Sequence, residues 1–116
     1  MYILIVEDDP HIAANLAELL EHEGHQAVIA ATVAGARGQI QTRIPDAVFL
    51  DLHLPDGSGL DVLNSSEGVP FVVITGSPEE ESVDIAFDRG VVAYLVKPFS
   101  LADVLEAIAE IGGGQP

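Results

Sequence analysis

Five residues of this 116-residue chain could do chemistry together if folding brought them to one place: Glu7, Asp8, Asp51, Thr75 and Lys97. Like charges about 4 Å apart repel by roughly 4 kcal/mol at an effective dielectric near 20, so three packed carboxylates must take up protons or hold a cation. A hard divalent ion with oxygen ligands meets that need, and Mg²⁺ commonly takes one or two carboxylates together with waters and a phosphate. The same set suits phosphoryl transfer. Aspartate is an accepted covalent nucleophile for a phosphoryl group, a lysine gives a mobile point charge to a phosphoryl oxygen, and a threonine hydroxyl donates a hydrogen bond. Lys97 is the only lysine in the chain, so its place beside Pro98 favours a functional part over an incidental surface one. Taken singly, Glu7 and Asp8 could complement a helix dipole, worth a few tenths to about 1 kcal/mol, Asp51 could be a solvated loop acid, and Thr75 an ordinary strand residue. None of these readings accounts for the set.

The elements that must position these residues are legible as five apolar runs, at residues 2–6, 27–31, 47–50, 71–75 and 92–96. The runs do not alternate with polar residues, which predicts strands covered on both faces, as in a parallel sheet. Between them lie helical segments. One starts near Asp9 or Pro10, places Ile12, Leu16, Leu19 and Leu20 on one face and stops at Gly24. The last has Ser100 as N-cap and Leu101, Val104, Leu105, Ile108 and Ile111 on one face. Residues 33–41 read as a weaker helix because Gly35 and Gly38 lower its propensity. Residues 78–88 have Pro near the start, three Glu in the expected first turn and Gly90 beyond the end. Residues 60–66 allow at most two turns. Strands alternating with helices predict an α/β doubly wound sheet with helices on both faces. Function then sits outside the carboxyl ends of the strands, where Glu7, Asp8, Asp51, Thr75 and Lys97 all fall.

Length fits one domain, and 48% apolar residues with mean hydropathy +0.35 exclude a disordered chain. Cysteine is absent, which removes disulfides, thiolate metal sites and a cysteine nucleophile and fits a reducing compartment. Nineteen acidic against four basic side chains give a formal charge of −15, which predicts repulsion from nucleic acid and anionic lipid. The apolar start runs straight into Glu7, Asp8 and Asp9, too short for a signal-peptide core, and no run approaches the length of a membrane span. A cytoplasmic protein without direct nucleic-acid or membrane contact is expected. Residues 112–116 read as a flexible tail or the start of a linker after a domain at 1–111. His22 and His25 flank the end of the first helix with nothing to complete a metal site, and the run Glu79, Glu80, Glu81 reads as a solvated helical turn.

With these residues in order at strand ends, the chain resembles a bacterial two-component response-regulator receiver domain. The matching stretches are Val6-Glu7-Asp8-Asp9-Pro10, Leu50-Asp51-Leu52-His53-Leu54-Pro55-Asp56-Gly57-Ser58-Gly59, Ile74-Thr75-Gly76 and Tyr94-Leu95-Val96-Lys97-Pro98-Phe99. The resemblance spans residues 1–111. It implies a flavodoxin-like receiver fold, a five-stranded parallel sheet of order 2-1-3-4-5. It further implies Asp51 as phospho-acceptor and metal ligand, Asp8 as direct Mg²⁺ ligand, Glu7 as indirect ligand and the His53 backbone carbonyl as a further one. Lys97 becomes the phosphoryl contact, Thr75 and Tyr94 the switch pair, and Lys97–Pro98 a cis peptide. Three features depart from the family's usual pattern. The stretch from Asp51 to Thr75 is several residues short, at the expense of the third helix. Leu54 replaces the commoner Met, a volume-conserving swap. His53 is uncommon at its place two after the acceptor, where side chains influence dephosphorylation in the family.

The function implied is a signalling switch, not a metabolic enzyme, that catalyses its own Mg²⁺-dependent phosphorylation and dephosphorylation. Its partners would be a sensor histidine kinase or phosphotransfer protein, a downstream effector domain or protein, and, on phosphorylation, a second copy as a homodimer. The alternative is a receiver-like protein-binding module that is not phosphorylated. The complete acid, Thr and Lys set speaks against it, since such a module could lose those residues freely. A flavodoxin-like FMN binder would need an amide-rich phosphate loop where Glu7, Asp8 and Asp9 stand. A phosphatase of similar topology would show two acids flanking one residue, unlike Asp51-Leu52-His53.

Overall fold

The computed structural model describes residues 1–65 and 68–113. Its elements are β1 (Tyr2–Val6), α1 (Pro10–His22), β2 (Gln26–Ala30), α2 (Val33–Thr42), β3 (Ala47–Asp51), the two-residue strands β4 (His53–Leu54) and β5 (Gly57–Ser58), α3 (Leu60–Leu63), β6 (Phe71–Thr75), α4 (Glu81–Asp88), β7 (Ala93–Val96) and α5 (Leu101–Gly113). The main sheet is parallel throughout, in the order β2-β1-β3-β6-β7. Numbered by its own five strands, that is the expected 2-1-3-4-5. β4 and β5 form a separate antiparallel ladder just after the third of these strands.

Alternation along the inner strands divides the core into two layers. Ile3 and Ile5 face Leu16, Leu20, Val104 and Ala107 of α1 and α5, whereas Leu4 and Val6 face the side covered by α2, α3 and α4. Because both faces are covered, β1, β3 and β6 are buried at every residue, and the edge strands β2 and β7 are not. This is why the apolar runs lacked alternation.

Local capping explains where the helices begin. Asp9 accepts from the His11 and Ile12 N–H groups, so the acid that follows the metal-ligand candidates starts α1, and Gly24 with φ +88° reverses the chain after it. α2 overcomes its glycines by double capping: Thr32 Oγ1 accepts from the Gly35 N–H, and Asp56 reaches across from the β4–β5 turn to accept from Val33 and Ala34. In α5, Ser100 and Asp103 exchange side-chain and backbone bonds in a capping box.

α3, expected to hold at most two turns, is the single turn Leu60–Leu63, and Ser66 lies outside the described residues. Two elements differ from the sequence-based expectation. α4 begins at Glu81, not near Pro78, because Glu80 is extended with ψ 142° and its side chain is engaged with His53, as described below. α5 continues through Gly112 and Gly113, with Ile111 packed on the core. Residues 114–116 lie outside the described residues.

Candidate functional site

Parallel register brings the strand ends to one edge. Val6 pairs with Leu50, Asp51 with Ile74, and Thr75 with Val96, so Glu7, Asp51, Thr75 and Lys97 fall at neighbouring termini. The Lys97 N–H donates to the Thr75 carbonyl at 2.8 Å, which fixes these two residues against each other. The Lys97–Pro98 peptide is cis.

The carboxylates converge as the spacing predicted: ligand oxygens of Glu7, Asp8 and Asp51 all lie within 4.8 Å of one another. Asp51 is buried. Its Oδ1 accepts from the His53 N–H at 2.8 Å, and its Oδ2 receives Lys97 Nζ at 2.8 Å. Glu7 is only 1% exposed; its Oε2 accepts from the Asp9 N–H at 3.1 Å. Its Oε1 is 2.7 Å from Lys97 Nζ, an ion pair by distance whose direction leaves this buried oxygen without an aligned hydrogen bond. Asp8 is exposed and open to solvent.

One ammonium thus faces two buried carboxylates. Burial pushes the Glu7 carboxyl up to about 7; Lys97 and the Asp9 N–H work against the shift, and the charge of Asp51 adds to it. Burial disfavours the Lys97 ammonium, yet its contacts with Asp51 and Glu7 outweigh that and hold it above its ordinary value. The set fits a hard divalent cation: oxygen donors only, surplus negative charge, and one buried carboxylate oxygen lacking a directed partner. Asp8, the exposed member, stands on the solvent side, where an ion would keep waters.

Thr75 is buried beside this cluster, and its Oγ1 accepts from the Ser77 N–H at 2.9 Å. Tyr94 is not part of it. It stands on the outer side of β7, 48% exposed, with its ring edge-on to Phe87 at 5.8 Å. The switch pair of the sequence reading is therefore one inner and one outer residue.

Two residues acquire contacts that the sequence did not signal. Glu80, expected as a solvated acid, places both carboxylate oxygens 2.8 Å from His53 Nε2 and so joins the segment after the acceptor strand to the start of α4. Acidic runs carry no spacing that singles out one member. Gly59 packs directly behind the acceptor. A Cβ there would fall well inside contact distance of the Asp51 carbonyl oxygen and 2.9 Å from Leu52 Cα, which gives that glycine of the quoted motif a steric reason.

Comparison with known proteins agrees with this fold. A family model described as "Response regulator receiver domain" matches residues 3–109. "Transcriptional regulatory protein PdtaR" of Mycobacterium tuberculosis is 36% identical over 116 aligned residues, covering 91% of this chain and 54% of that protein. "KDP operon transcriptional regulatory protein KdpE" of Escherichia coli is 36% identical over 105 residues, covering 88% and 47%. The chain spans about half the length of these curated relatives. Among solved structures, a two-component response regulator from Clostridium difficile superposes with a TM-score of 0.89 at 28% identity, covering 98% of this chain and 97% of that one. The non-phosphorylated HemR receiver domain from Leptospira biflexa gives 0.84 at 30% identity, covering 95% and 92%.

Proposed function

The chain belongs to the response regulator receiver domain family, and from that premise we propose that Asp51 accepts a phosphoryl group from the phosphohistidine of a partner histidine kinase or phosphotransfer protein. A carboxylate oxygen of Asp51 attacks phosphorus as the P–N bond of the donor breaks, and the electron pair stays on the imidazole nitrogen, which takes a proton. The convergence of Glu7, Asp8 and Asp51 within 4.8 Å, with Lys97 at 2.8 Å from the acceptor, is the observation that carries this reading.

Mg²⁺, held directly by Asp8, Asp51 and the His53 backbone carbonyl and through water by Glu7, would offset the charge of the attacking carboxylate and of the incoming phosphoryl group. The protein's own groups do the rest. The Lys97 ammonium follows the transferred oxygens and offsets their charge. The Thr75 hydroxyl leaves the Ser77 N–H and donates to a phosphoryl oxygen. Tyr94 then turns inward from its place against Phe87, and the face made by α4, β7 and α5 changes shape. That is a two-state equilibrium biased by local charge. Hydrolysis of the acyl phosphate returns the switch, so the chain catalyses both its loading and its reset and is no metabolic enzyme. The output is an effector domain or protein. No helix among the described residues is long and apolar enough to cross a membrane; a cytoplasmic place for the relay is part of the proposal.

The test is intact mass after incubation with acetyl phosphate, with and without Mg²⁺, for the native chain and Asp51→Asn. A single magnesium-dependent phosphoryl adduct, absent from the variant, is expected. A folded, magnesium-treated native chain that stays unmodified would return the alternative, a binding module that is not phosphorylated.

A further inference from the structure

The residues before α4 spell a helix start that the structure does not use. Ser77-Pro78-Glu79-Glu80 has serine at an N-cap place, proline at the first helical position and glutamate three residues after the serine, the pattern of a capping box. In such a box the Ser77 hydroxyl accepts from the Glu80 N–H, and the Glu80 carboxylate accepts from the Ser77 N–H. Both groups that Glu80 and Ser77 would exchange are engaged elsewhere. The Ser77 N–H donates to Thr75 Oγ1 at 2.9 Å, and the Glu80 carboxylate sits 2.8 Å from His53 Nε2. α4 accordingly starts a turn late, at Glu81, with no side-chain cap.

Little backbone change separates this short helix from the long one. The Glu80 N–H already donates to the Ser77 carbonyl at 3.1 Å, and no described residue other than glycine has a positive φ, so residues 77–80 form a type I turn with Pro78 and Glu79 near helical dihedrals. Glu80 itself, at φ −64° and ψ 142°, departs from a helix in ψ alone. A second, independent group awaits the longer helix. The Ser82 hydroxyl is buried without a hydrogen-bond partner, and a serine inside a helix bonds the carbonyl four residues back, here that of Pro78. The contact that holds Glu80 out of the helix is an exposed pair with His53, which is of a weak kind.

We propose that Glu80 exchanges partners when Asp51 is loaded: as Thr75 Oγ1 leaves the Ser77 N–H for a phosphoryl oxygen, the Glu80 carboxylate leaves His53 and takes that N–H, and α4 lengthens back to Pro78 with Ser77 as its N-cap. The N–H orphaned by Thr75 is thereby satisfied, and the Ser82 hydroxyl gains the Pro78 carbonyl. Glu79, Glu80 and Glu81 then all stand in the first turn, where the helix dipole favours negative charge. His53 is freed beside the acceptor, and the tie between the acceptor loop and α4 is released. The trigger rests on the receiver reading; the exchange itself rests on the competing hydrogen bonds of Ser77 and Glu80.

The readout is amide hydrogen exchange at Glu81 and Ser82, followed by NMR. In the short helix these two N–H groups precede any intrahelical acceptor; in the long one they donate to the Ser77 and Pro78 carbonyls. With Mg²⁺ present throughout, adding acetyl phosphate should slow both at least tenfold and move the Glu80 Cα resonance to the helical side. Glu80→Ala, which can neither cap nor reach His53, should exchange fast in both conditions. Thr75→Val combined with His53→Ala releases the Ser77 N–H and the Glu80 carboxylate together, so this chain should exchange slowly with no phosphoryl group at all. Fast exchange at Glu81 and Ser82 in native chain that carries the adduct would overturn the proposal, and so would slowed exchange in loaded Glu80→Ala. Intact mass of the same samples separates the two readings. A missing adduct removes the receiver chemistry, while the Thr75→Val, His53→Ala chain still decides the exchange, and unslowed amides there would refute it.

Discussion

Lys97 is the residue on which the charge balance of the site turns, since it is the one ammonium against Glu7 and Asp51. Lys97→Met leaves two buried carboxylates facing each other. Removing one partner of a fully buried pair costs about 3–5 kcal/mol; with the Lys97 side chain 24% exposed, solvent screening reduces this to about 1–3 kcal/mol at pH 8. Urea unfolding measures it, and an unchanged midpoint would show that the acids do not depend on the lysine. The His53–Glu80 contact is of the other kind, exposed on both sides. A double-mutant cycle of His53→Ala and Glu80→Gln should return a coupling of about 0.2–1 kcal/mol, and strict additivity would dissolve the bridge. The difference in legibility between the two follows from their chemistry. Lys97 was visible because the chain has no other lysine and three acids needed a cation. Glu80 was hidden because its role depends on an extended backbone at one member of a run of identical residues.

At the level of elements, the strands were legible and their connections less so. Val, Ile and Leu runs buried on both faces announce themselves without a partner, and each observed strand of the main sheet overlaps its expected run with ends that agree to within one residue. α4 lost its first turn to a tertiary contact, and α2 gained its stability from Asp56, an acid more than twenty residues away in the chain. Neither effect is encoded in local propensity. The Asp56 bonds make a test with a definite sign. Acceptance from the Val33 and Ala34 N–H groups holds the Asp56 carboxyl below its ordinary value of 3.8. A carboxyl depressed on folding stabilises above its unfolded value, and that contribution fades as pH falls through the folded one. Asp56→Ala should therefore unfold at lower urea than the native chain at pH 7, with the gap closing as pH drops below 3.8. A gap independent of pH would place the effect elsewhere. Gly59→Ala probes the support behind the acceptor. Overpacking against the Asp51 and Leu52 backbone should cost about 1–3 kcal/mol and shift the amide resonance of Asp51; a variant as stable as the native chain would mean that the contact yields freely.

Across the whole molecule, two apolar layers hold a parallel sheet, and the sheet delivers its chemistry to a single edge. Net charge shapes what this edge can meet. At −15 the net charge opposes the close approach of polyanions. Nineteen Asp and Glu side chains are available, and the phosphoryl group is assigned to one. The decisive measurement is to load the chain with acetyl phosphate and Mg²⁺, reduce the acyl phosphate with borohydride, digest, and locate by peptide sequencing the aspartate converted to homoserine. Homoserine is expected at position 51 and nowhere else. Conversion at Asp8, Asp9 or Asp56 with position 51 intact would contradict it.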